Sequence, residues 1–193
     1  MADWDERYAR GEHASDEPHR LLSHVALEHF RPGRALDLAS GAGRNALFLA
    51  SLGWRVVAVD ASRVGVELTQ QRARERGVEV ETHVADLERG EFKIEPEAFD
   101  LACDFYYLQR DLFPALRACV RRGGAFVAAI HLDGGDAAAT HARPSNPDFL
   151  LRPGELLAEF RGWKILHYHE TSTTDDDAAR HNRRTAELIA QKP

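Results

Sequence analysis

The stretch from Ala35 to Asn45, ALDLASGAGRN, decides the fold, because a short apolar run carrying one acid leads into a glycine turn and then a helix. Gly41 and Gly43 suit a sharp strand-to-helix turn, since glycine tolerates positive φ and lets a ligand approach the backbone closely. The free N–H groups of the following helix point into the same crevice. The stretch therefore predicts a nucleotide-type binding site at the end of the first strand.

Strands and helices alternate along the rest of the chain. Strand patterns follow at 55–59, 78–84, 99–105, 125–131, 163–170 and 184–191, and helix patterns lie at 18–30, 45–52, 63–76, 112–120 and 155–160. Such alternation is typical of a parallel sheet with helices on both faces. The last two strands flank a polar loop too short for a helical crossover, so we expect them to pair antiparallel. The predicted fold class is α/β, a Rossmann-like seven-stranded sheet, mostly parallel with an antiparallel last strand.

Length and composition fit one domain. The chain has 193 residues, 44% of them hydrophobic, and no repeat, low-complexity tract or proline-rich linker divides it. A chain of this size can bury a sizeable core. We predict a single domain over 1–193, with an N-terminal lid and helix at 1–30 and a binding core at 31–193. The net charge of −6 disfavours a nucleic-acid partner.

Targeting and metal-binding signals are missing from the sequence. The N-terminus has no basic leader followed by an apolar run, and no stretch is long enough to span a membrane. We therefore expect a cytoplasmic protein with no membrane partner. Cys103 and Cys119 stand alone, and we interpret both as reduced packing residues. The histidines show no metal-ligand spacing, so no metal site is predicted.

Two classes of ligand fit the glycine turn. The segment from Gly41 to Ala46 satisfies the dinucleotide fingerprint, but Asp37 in the preceding strand would repel an anionic pyrophosphate. S-adenosylmethionine instead carries a cationic sulfonium and an ammonium group, which Asp37 could contact directly or through water. The alternative for Asp37 is a structural one, in which it orients backbone amides of the turn.

Acids also follow the second and third strands. A carboxylate at Asp60 can accept both ribose hydroxyls of an adenosine ligand, and Asp86 stands where an adenine amino group could be recognised. Either acid could instead cap the helix that follows it. Three successive strands that each lead to an acid form a pattern much more specific than the glycines, and this pattern favours the cationic ligand.

On these segments the chain resembles the class I S-adenosylmethionine-dependent methyltransferases, and among them the small tellurite-resistance-type methyltransferases. The matching segments are 36–45, 59–60, 84–87, 99–101, 122–124 and 152–156. Ala39 and Ser40 replace the usual glycine and cysteine of the subgroup, and alanine costs little there unless the position needs positive φ. The resemblance implies S-adenosylmethionine as cofactor and S-adenosylhomocysteine as product. It also implies that the leader with Trp4, Arg7 and Tyr8 folds over the site, although a frayed terminus is the alternative.

Candidate site residues fall into two groups. The predicted cofactor-binding residues are Tyr8, Asp37, Ala39, Gly41, Gly43, Asn45, Asp60, Ala61, Asp86, Leu87 and Asp104. On the acceptor side, Tyr106 could wall the pocket or belong to the core, and His131 at a strand end could act as base or donor. Arg184 is a candidate anion clamp or catalytic residue at the start of the last strand. Further candidate anion clamps are Arg143, His181 and Arg183.

We predict an enzyme that methylates a small molecule or a small oxyanion. Because the cofactor already activates the methyl group, the protein mainly positions the reactants, and a thiolate, selenite or tellurite would need little base catalysis. One alternative is an NAD-linked oxidoreductase, which Asp37 and the lack of a second domain disfavour. The other is a protein that binds S-adenosylmethionine without catalysis.

Overall fold

One seven-stranded sheet organises the protein. The computed structural model describes residues 4–12, 15–23, 30–133, 147–171 and 184–193. The strands are β1 (Arg34–Leu38), β2 (Arg55–Asp60), β3 (Val80–Val84), β4 (Phe99–Phe105), β5 (Val120–His131), β6 (Lys164–Glu170) and β7 (Thr185–Gln191). Their order in the sheet is β3-β2-β1-β4-β5-β7-β6. Strands β1 to β5 pair parallel, and β7 runs antiparallel to both β5 and β6. The predicted α/β fold class with its antiparallel last strand is confirmed.

Five α-helices that lie wholly within the described ranges connect or flank these strands. They are α1 (Trp4–Ala9), α2 (Arg44–Ser51), α3 (Arg63–Arg76), α4 (Phe113–Cys119) and α5 (Glu155–Glu159). Helix α3 has the predicted ends, because the Ser62 hydroxyl accepts from the Gly65 N–H and Gly77 adopts φ 66°. Of the helix predicted at 18–30, residues 20–23 are helical and 24–29 lie outside the described residues. No helix in the described ranges combines the length and apolar character that crossing a bilayer needs.

The core lies on both faces of the sheet. Alternate residues of the central strands contribute to two separate clusters, with Leu36 in one and Ala35 in the other. Helices α4 and α5 cover the first cluster through Leu116 and Leu156, and α2 covers the second through Leu49. Helices therefore lie on both faces, as predicted.

The register of the sheet brings the acidic strand ends together. Leu38 at the end of β1 pairs with Val59 of β2 on one side and with Asp104 of β4 on the other. Asp37 and Asp60, each one residue away from this row, therefore lie at the same carboxyl edge. Ligands of open α/β sheets bind at this edge, so the topology places a ligand site here.

The backbone of Ala39 differs from the expectation that alanine costs little at this position. Its φ is 48°, in the left-handed region that a β-carbon disfavours. This position does need positive φ, so alanine carries a conformational cost here.

Replacing Ala39 with glycine should raise the free energy of unfolding by about 1 kcal/mol, since glycine adopts this φ without strain. Urea denaturation measures the change.

A matched control separates this effect from a general effect of glycine. Ala58 lies in β2 and is buried, and its replacement by glycine should lower the free energy of unfolding. If both substitutions destabilise the protein equally, the left-handed strain at Ala39 is refuted.

Candidate active site

The glycine turn is fixed by an acid and packed tightly on both sides. Gly41 has φ 58° and Gly43 has φ 79°. The Gly41 N–H donates to Oδ2 of Asp60 over 2.7 Å. A β-carbon at Gly41 would lie 2.3 Å from the Tyr8 hydroxyl oxygen, and one at Gly43 would lie 2.5 Å from the Thr69 side chain. Both positions therefore require glycine for conformation and for space.

Asp60 organises the turn with both of its oxygens. While Oδ2 accepts from Gly41, Oδ1 accepts from the Ser62 N–H over 2.7 Å. Burial raises the pKa of the Asp60 carboxyl, and the two amide donors oppose that rise. Each carboxylate oxygen has a second lone pair, so the group can also accept hydroxyl donors from a ligand.

Asp37 and Asp104 carry oxygen atoms without a partner among the described residues. Oδ2 of Asp37 and Oδ1 of Asp104 are buried with no hydrogen bond to any described residue. The Ala46 amide near Asp37 and the Tyr107 amide near Asp104 oppose the rise in pKa that burial causes. Burial raises the pKa of Asp37 to about 7 and that of Asp104 well above its ordinary value. Buried polar atoms of this kind cost free energy unless a ligand satisfies them.

Both sequence interpretations of Asp37 stay predictions. The Ala46 amide lies near its carboxyl group, and Oδ2 has no hydrogen bond within the described residues. The hydroxyl Oγ of Ser40, in the turn itself, is also buried without a partner in the described part of the chain. A ligand with donors or positive charge would satisfy all three atoms.

Helix α1 lies over this turn and over the start of α3. Oδ1 of Asp5 accepts from the Ser62 hydroxyl and, over 3.1 Å, from the Val64 N–H. These bonds hold the pKa of Asp5 below its ordinary value. Burial raises the pKa of the Tyr8 phenol, so its hydroxyl stays a donor at neutral pH. Residues 4–9 of the leader thus pack on the turn and on the start of α3, and a lid over the cofactor stays a prediction.

The contact between Tyr8 and Gly41 gives a test with an internal control. Gly77 also has positive φ, 66°, but a β-carbon there meets nothing within 4 Å. Gly77→Ala should cost about 1 kcal/mol of stability, and Gly41→Ala should cost clearly more because the new methyl group overlaps the Tyr8 hydroxyl. Adding Tyr8→Phe should recover part of that extra cost. Equal losses for the two alanine variants in thermal unfolding would contradict the packing.

The other predicted cofactor residues have structural contacts of their own. Oδ1 of buried Asn45 accepts from the His19 N–H over 2.9 Å, and Ala61 is exposed beside Asp60. Oδ1 of Asp86 accepts from the Glu88 N–H and Oδ2 pairs with Arg89, so Asp86 stabilises the turn at 87–90. No helix lies between β3 and β4, a segment described throughout, so Asp86 has none to cap. Their predicted roles toward the cofactor stay predictions.

Leu87 contributes mainly to the core. Its side chain is buried in the cluster that α4 covers, and its carbonyl accepts from the Gln109 side chain over 3.3 Å. Contact between Leu87 and the cofactor likewise stays a prediction.

Aromatic and basic side chains surround the ends of β4 and β5. The ring centroids of Tyr106 and His131 are 5.2 Å apart, and the guanidinium of Arg44 lies 5.8 Å from the Tyr106 ring. Tyr106 has φ 67°, an unusual conformation for a bulky residue that is found most often at functional sites. The structure thus brings Tyr106 and His131 together at the carboxyl edge.

The side chain of Arg184 bonds to a different part of the structure from Tyr106 and His131. Its Nε donates to the Thr171 carbonyl over 2.9 Å, which ties the start of β7 to the end of β6. The remaining candidate anion clamps, Arg143, His181 and Arg183, lie outside the described residues.

Sequence reasoning missed an ion pair between a buried acid and a half-exposed arginine. Glu187 in β7 is 3% exposed, and both of its oxygens accept from Arg20 over 2.9 Å. His167 also contacts Glu187, with 3.4 Å between Nε2 and Oε2. The sequence did carry a signal for this pair. Glu187 is the single acid in the apolar run 186–190, and a buried charge needs a charged partner.

Comparison with known proteins agrees with this geometry. Residues 35–124 match the model of a methyltransferase domain. The probable S-adenosyl-L-methionine-dependent methyltransferase TehB of Haemophilus influenzae is 24% identical over 177 residues, which cover 86% of this chain and 60% of that protein. The chain thus spans about three fifths of the length of this relative.

Solved structures share the fold. The crystal structure of TehB from Haemophilus influenzae aligns with a TM-score of 0.76 at 20% identity, covering 98% of this chain and 67% of that one. A geranyl diphosphate C-methyltransferase from Streptomyces coelicolor A3(2), solved with S-adenosyl-L-homocysteine, aligns with a TM-score of 0.66 at 15% identity. The alignment covers 90% of this chain and 75% of that one. The matched domain, the relative and the shared fold make this chain similar to the class I S-adenosylmethionine-dependent methyltransferases, and to TehB among them.

Proposed function

We propose that this chain transfers the methyl group of S-adenosylmethionine to a small molecule or a small oxyanion. The observation that carries the proposal is the pair of buried, unpartnered carboxylate oxygens on Asp37 and Asp104 at the carboxyl edge. A cationic ligand would offset the cost of burying them, whereas a pyrophosphate would add repulsion. This charge pattern favours S-adenosylmethionine over a dinucleotide.

The residues of the site suit the parts of this cofactor. Asp60 would accept the ribose hydroxyls, Asp37 would face the ammonium group, and Tyr8 would cover the pocket. The turn from Ala39 to Gly43 would lie against the ligand. When bound, S-adenosylmethionine supplies a methyl group already activated by the positive sulfur. The protein's own contribution is to orient the reactants and to exclude water.

The acceptor side favours a nucleophile that needs no strong base. Burial raises the pKa of Tyr106, so its phenol stays protonated at neutral pH and serves as a donor rather than a base. Arg44 next to Tyr106 adds positive charge. A soft acceptor with an available lone pair, such as a thiolate, selenite or tellurite, fits these groups. Arg184 and His131 stay candidate acceptor residues.

The test combines binding with turnover. Isothermal titration should show binding of S-adenosylhomocysteine, and NAD should not shift the thermal unfolding temperature. A panel of thiols, selenite and tellurite should then release S-adenosylhomocysteine from S-adenosylmethionine. Binding of the cofactor without turnover of any acceptor would indicate a non-catalytic binding protein and overturn the proposal.

A further inference from the structure

A cavity lies at the edge of the sheet opposite to the candidate active site. Its volume is about 400 Å³, which is within the range of cavities that hold small molecules. Its wall includes the amino ends of the central strands, since Gly33 lies just before β1, Trp54 lies just before β2, and Asp100 is the second residue of β4. Asp37 and Asp104 lie near the other ends of β1 and β4. The cavity is therefore separate from the acidic carboxyl edge.

Two arginines in the wall of the cavity have no acidic partner. Arg31 and Arg122 are exposed, and neither forms an ion pair or a side-chain hydrogen bond within the described residues. Asp100, the acid in the same wall, already has partners. Its Oδ2 accepts from the Arg34 N–H over 2.7 Å, and Nη1 of Arg121 donates to its two oxygens over 3.3 and 3.2 Å. The charge that is not neutralised among the described lining residues is therefore positive.

Close packing holds the Asp100 carboxylate in place. A β-carbon at Gly33 would lie 2.3 Å from Oδ2 of Asp100, and one at Gly124 would lie 2.7 Å from the Asp100 carbonyl oxygen. Both glycines line the cavity and allow their segments to lie directly against β4. Because Asp100 is held by these contacts and by its hydrogen bonds, it does not neutralise Arg31 or Arg122.

The rest of the wall offers flat apolar surface. Phe30, Pro32 and Trp54 line the cavity together with the arginines. Trp54 is 3% exposed, and its Nε1 is buried with no acceptor among the described residues. A buried N–H of this kind costs free energy unless an acceptor reaches it. Aromatic side chains favour contact with other rings, so this part of the wall suits a flat ligand.

We propose that this cavity binds a small aromatic molecule that carries a carboxylate or a phosphate. Arg31 and Arg122 hold the oxyanion, because guanidinium groups donate to carboxylates and phosphates in a planar and often bidentate geometry. The apolar residues of the wall, Phe30, Pro32 and Trp54, pack against the ring. The inference does not depend on the methyl transfer proposed above, because none of these residues belongs to the carboxyl edge.

Titration with phenyl phosphate and with benzoate tests the site by NMR. In ¹⁵N-labelled protein, the indole N–H signal of Trp54 should shift as the cavity fills, and Trp54→Phe assigns that signal. The indole signals of Trp4 and Trp163 serve as controls, because neither residue is among the described lining residues. Benzamide, which has the ring without the charge, should bind more weakly than benzoate. Inorganic phosphate, which has the charge without the ring, should bind more weakly than phenyl phosphate.

Substitution of the two arginines tests the recognition of the anion. Arg31→Gln and Arg122→Gln should each weaken binding of the preferred anion about threefold, and the double variant about tenfold, because contacts of exposed guanidinium groups contribute modestly. Arg161, an exposed arginine that also has no side-chain partner among the described residues, provides the matched control. Arg161→Gln should leave the affinity unchanged.

Two results would overturn the inference. One is that neither phenyl phosphate nor benzoate shifts the Trp54 indole signal. The other is that the double arginine variant binds both anions as tightly as the unsubstituted protein does. The affinity for S-adenosylhomocysteine should be the same in the double variant, so failure of this site and failure of the proposed function give different results.

Discussion

Replacing Asp60 with alanine should weaken the binding of S-adenosylhomocysteine by at least tenfold. Hydrogen bonds to a charged group each contribute about 1.5 to 3 kcal/mol, and about 1.4 kcal/mol corresponds to a factor of ten. The variant removes the carboxylate that we propose accepts two ribose hydroxyls, and it frees the Gly41 and Ser62 amides that Asp60 now fixes. The affinity for S-adenosylhomocysteine should therefore fall, and the glycine turn should lose its fixed conformation. Isothermal titration measures the affinity.

Controls for Asp60 come from the same chain. Asp60→Asn keeps one oxygen acceptor and should give an intermediate affinity. Asp16 is an exposed acid that pairs with Arg72 and Arg76, so Asp16→Ala should leave the affinity unchanged. Circular dichroism verifies that each variant is folded. An affinity of Asp60→Ala equal to that of the unsubstituted protein would remove Asp60 from the cofactor site.

Asp37→Asn should stabilise the ligand-free protein and at the same time weaken cofactor binding. Burial raises the pKa of Asp37 to about 7, whereas the unfolded chain releases this proton near pH 3.8. Between these two pH values the folded protein holds more protons than the unfolded chain, so the free energy of unfolding falls as pH rises. With about 1.4 kcal/mol for each tenfold change in proton affinity, the loss is on the order of 4 kcal/mol above pH 7.

Asparagine avoids this loss because it carries no charge and keeps one oxygen acceptor on a side chain of the same size. Urea unfolding should therefore show Asp37→Asn as more stable at pH 8 and nearly equal at pH 4. Affinity for S-adenosylmethionine at pH 8 should fall more than tenfold, because the ammonium group would lose the ionised partner that we propose for it.

Affinity of the unsubstituted protein for S-adenosylmethionine should in turn rise with pH through about pH 7, as Asp37 ionises. Asp16→Asn, at an exposed position, should show neither the gain in stability nor the loss of affinity. A pH-independent affinity together with unchanged stability would show that Asp37 does not face the cofactor.

Local patterns in the sequence were sufficient for the fold. Helix α3 begins and ends where Ser62 and Gly77 predict, because capping depends on residues close together in the chain. The antiparallel pairing of the last two strands follows from the length of their connection. The acids at Asp37 and Asp60 could also be found in this way, since strand ends of a parallel sheet meet at one edge.

Contacts between distant segments were decided only by the tertiary structure. The left-handed φ of Ala39 arises where β1 enters a turn fixed by Asp60, and no neighbouring residue signals it. The stacking of His19 on Phe105 and the pairing of Arg20 with Glu187 join residues far apart in sequence. The sequence by itself determined the alternation of elements and the acidic edge, because these depend on local periodicity and spacing. Only the tertiary structure decided how the N-terminal segment packs against the ends of β4 and β7, because burial and side-chain geometry exist only once the chain is folded.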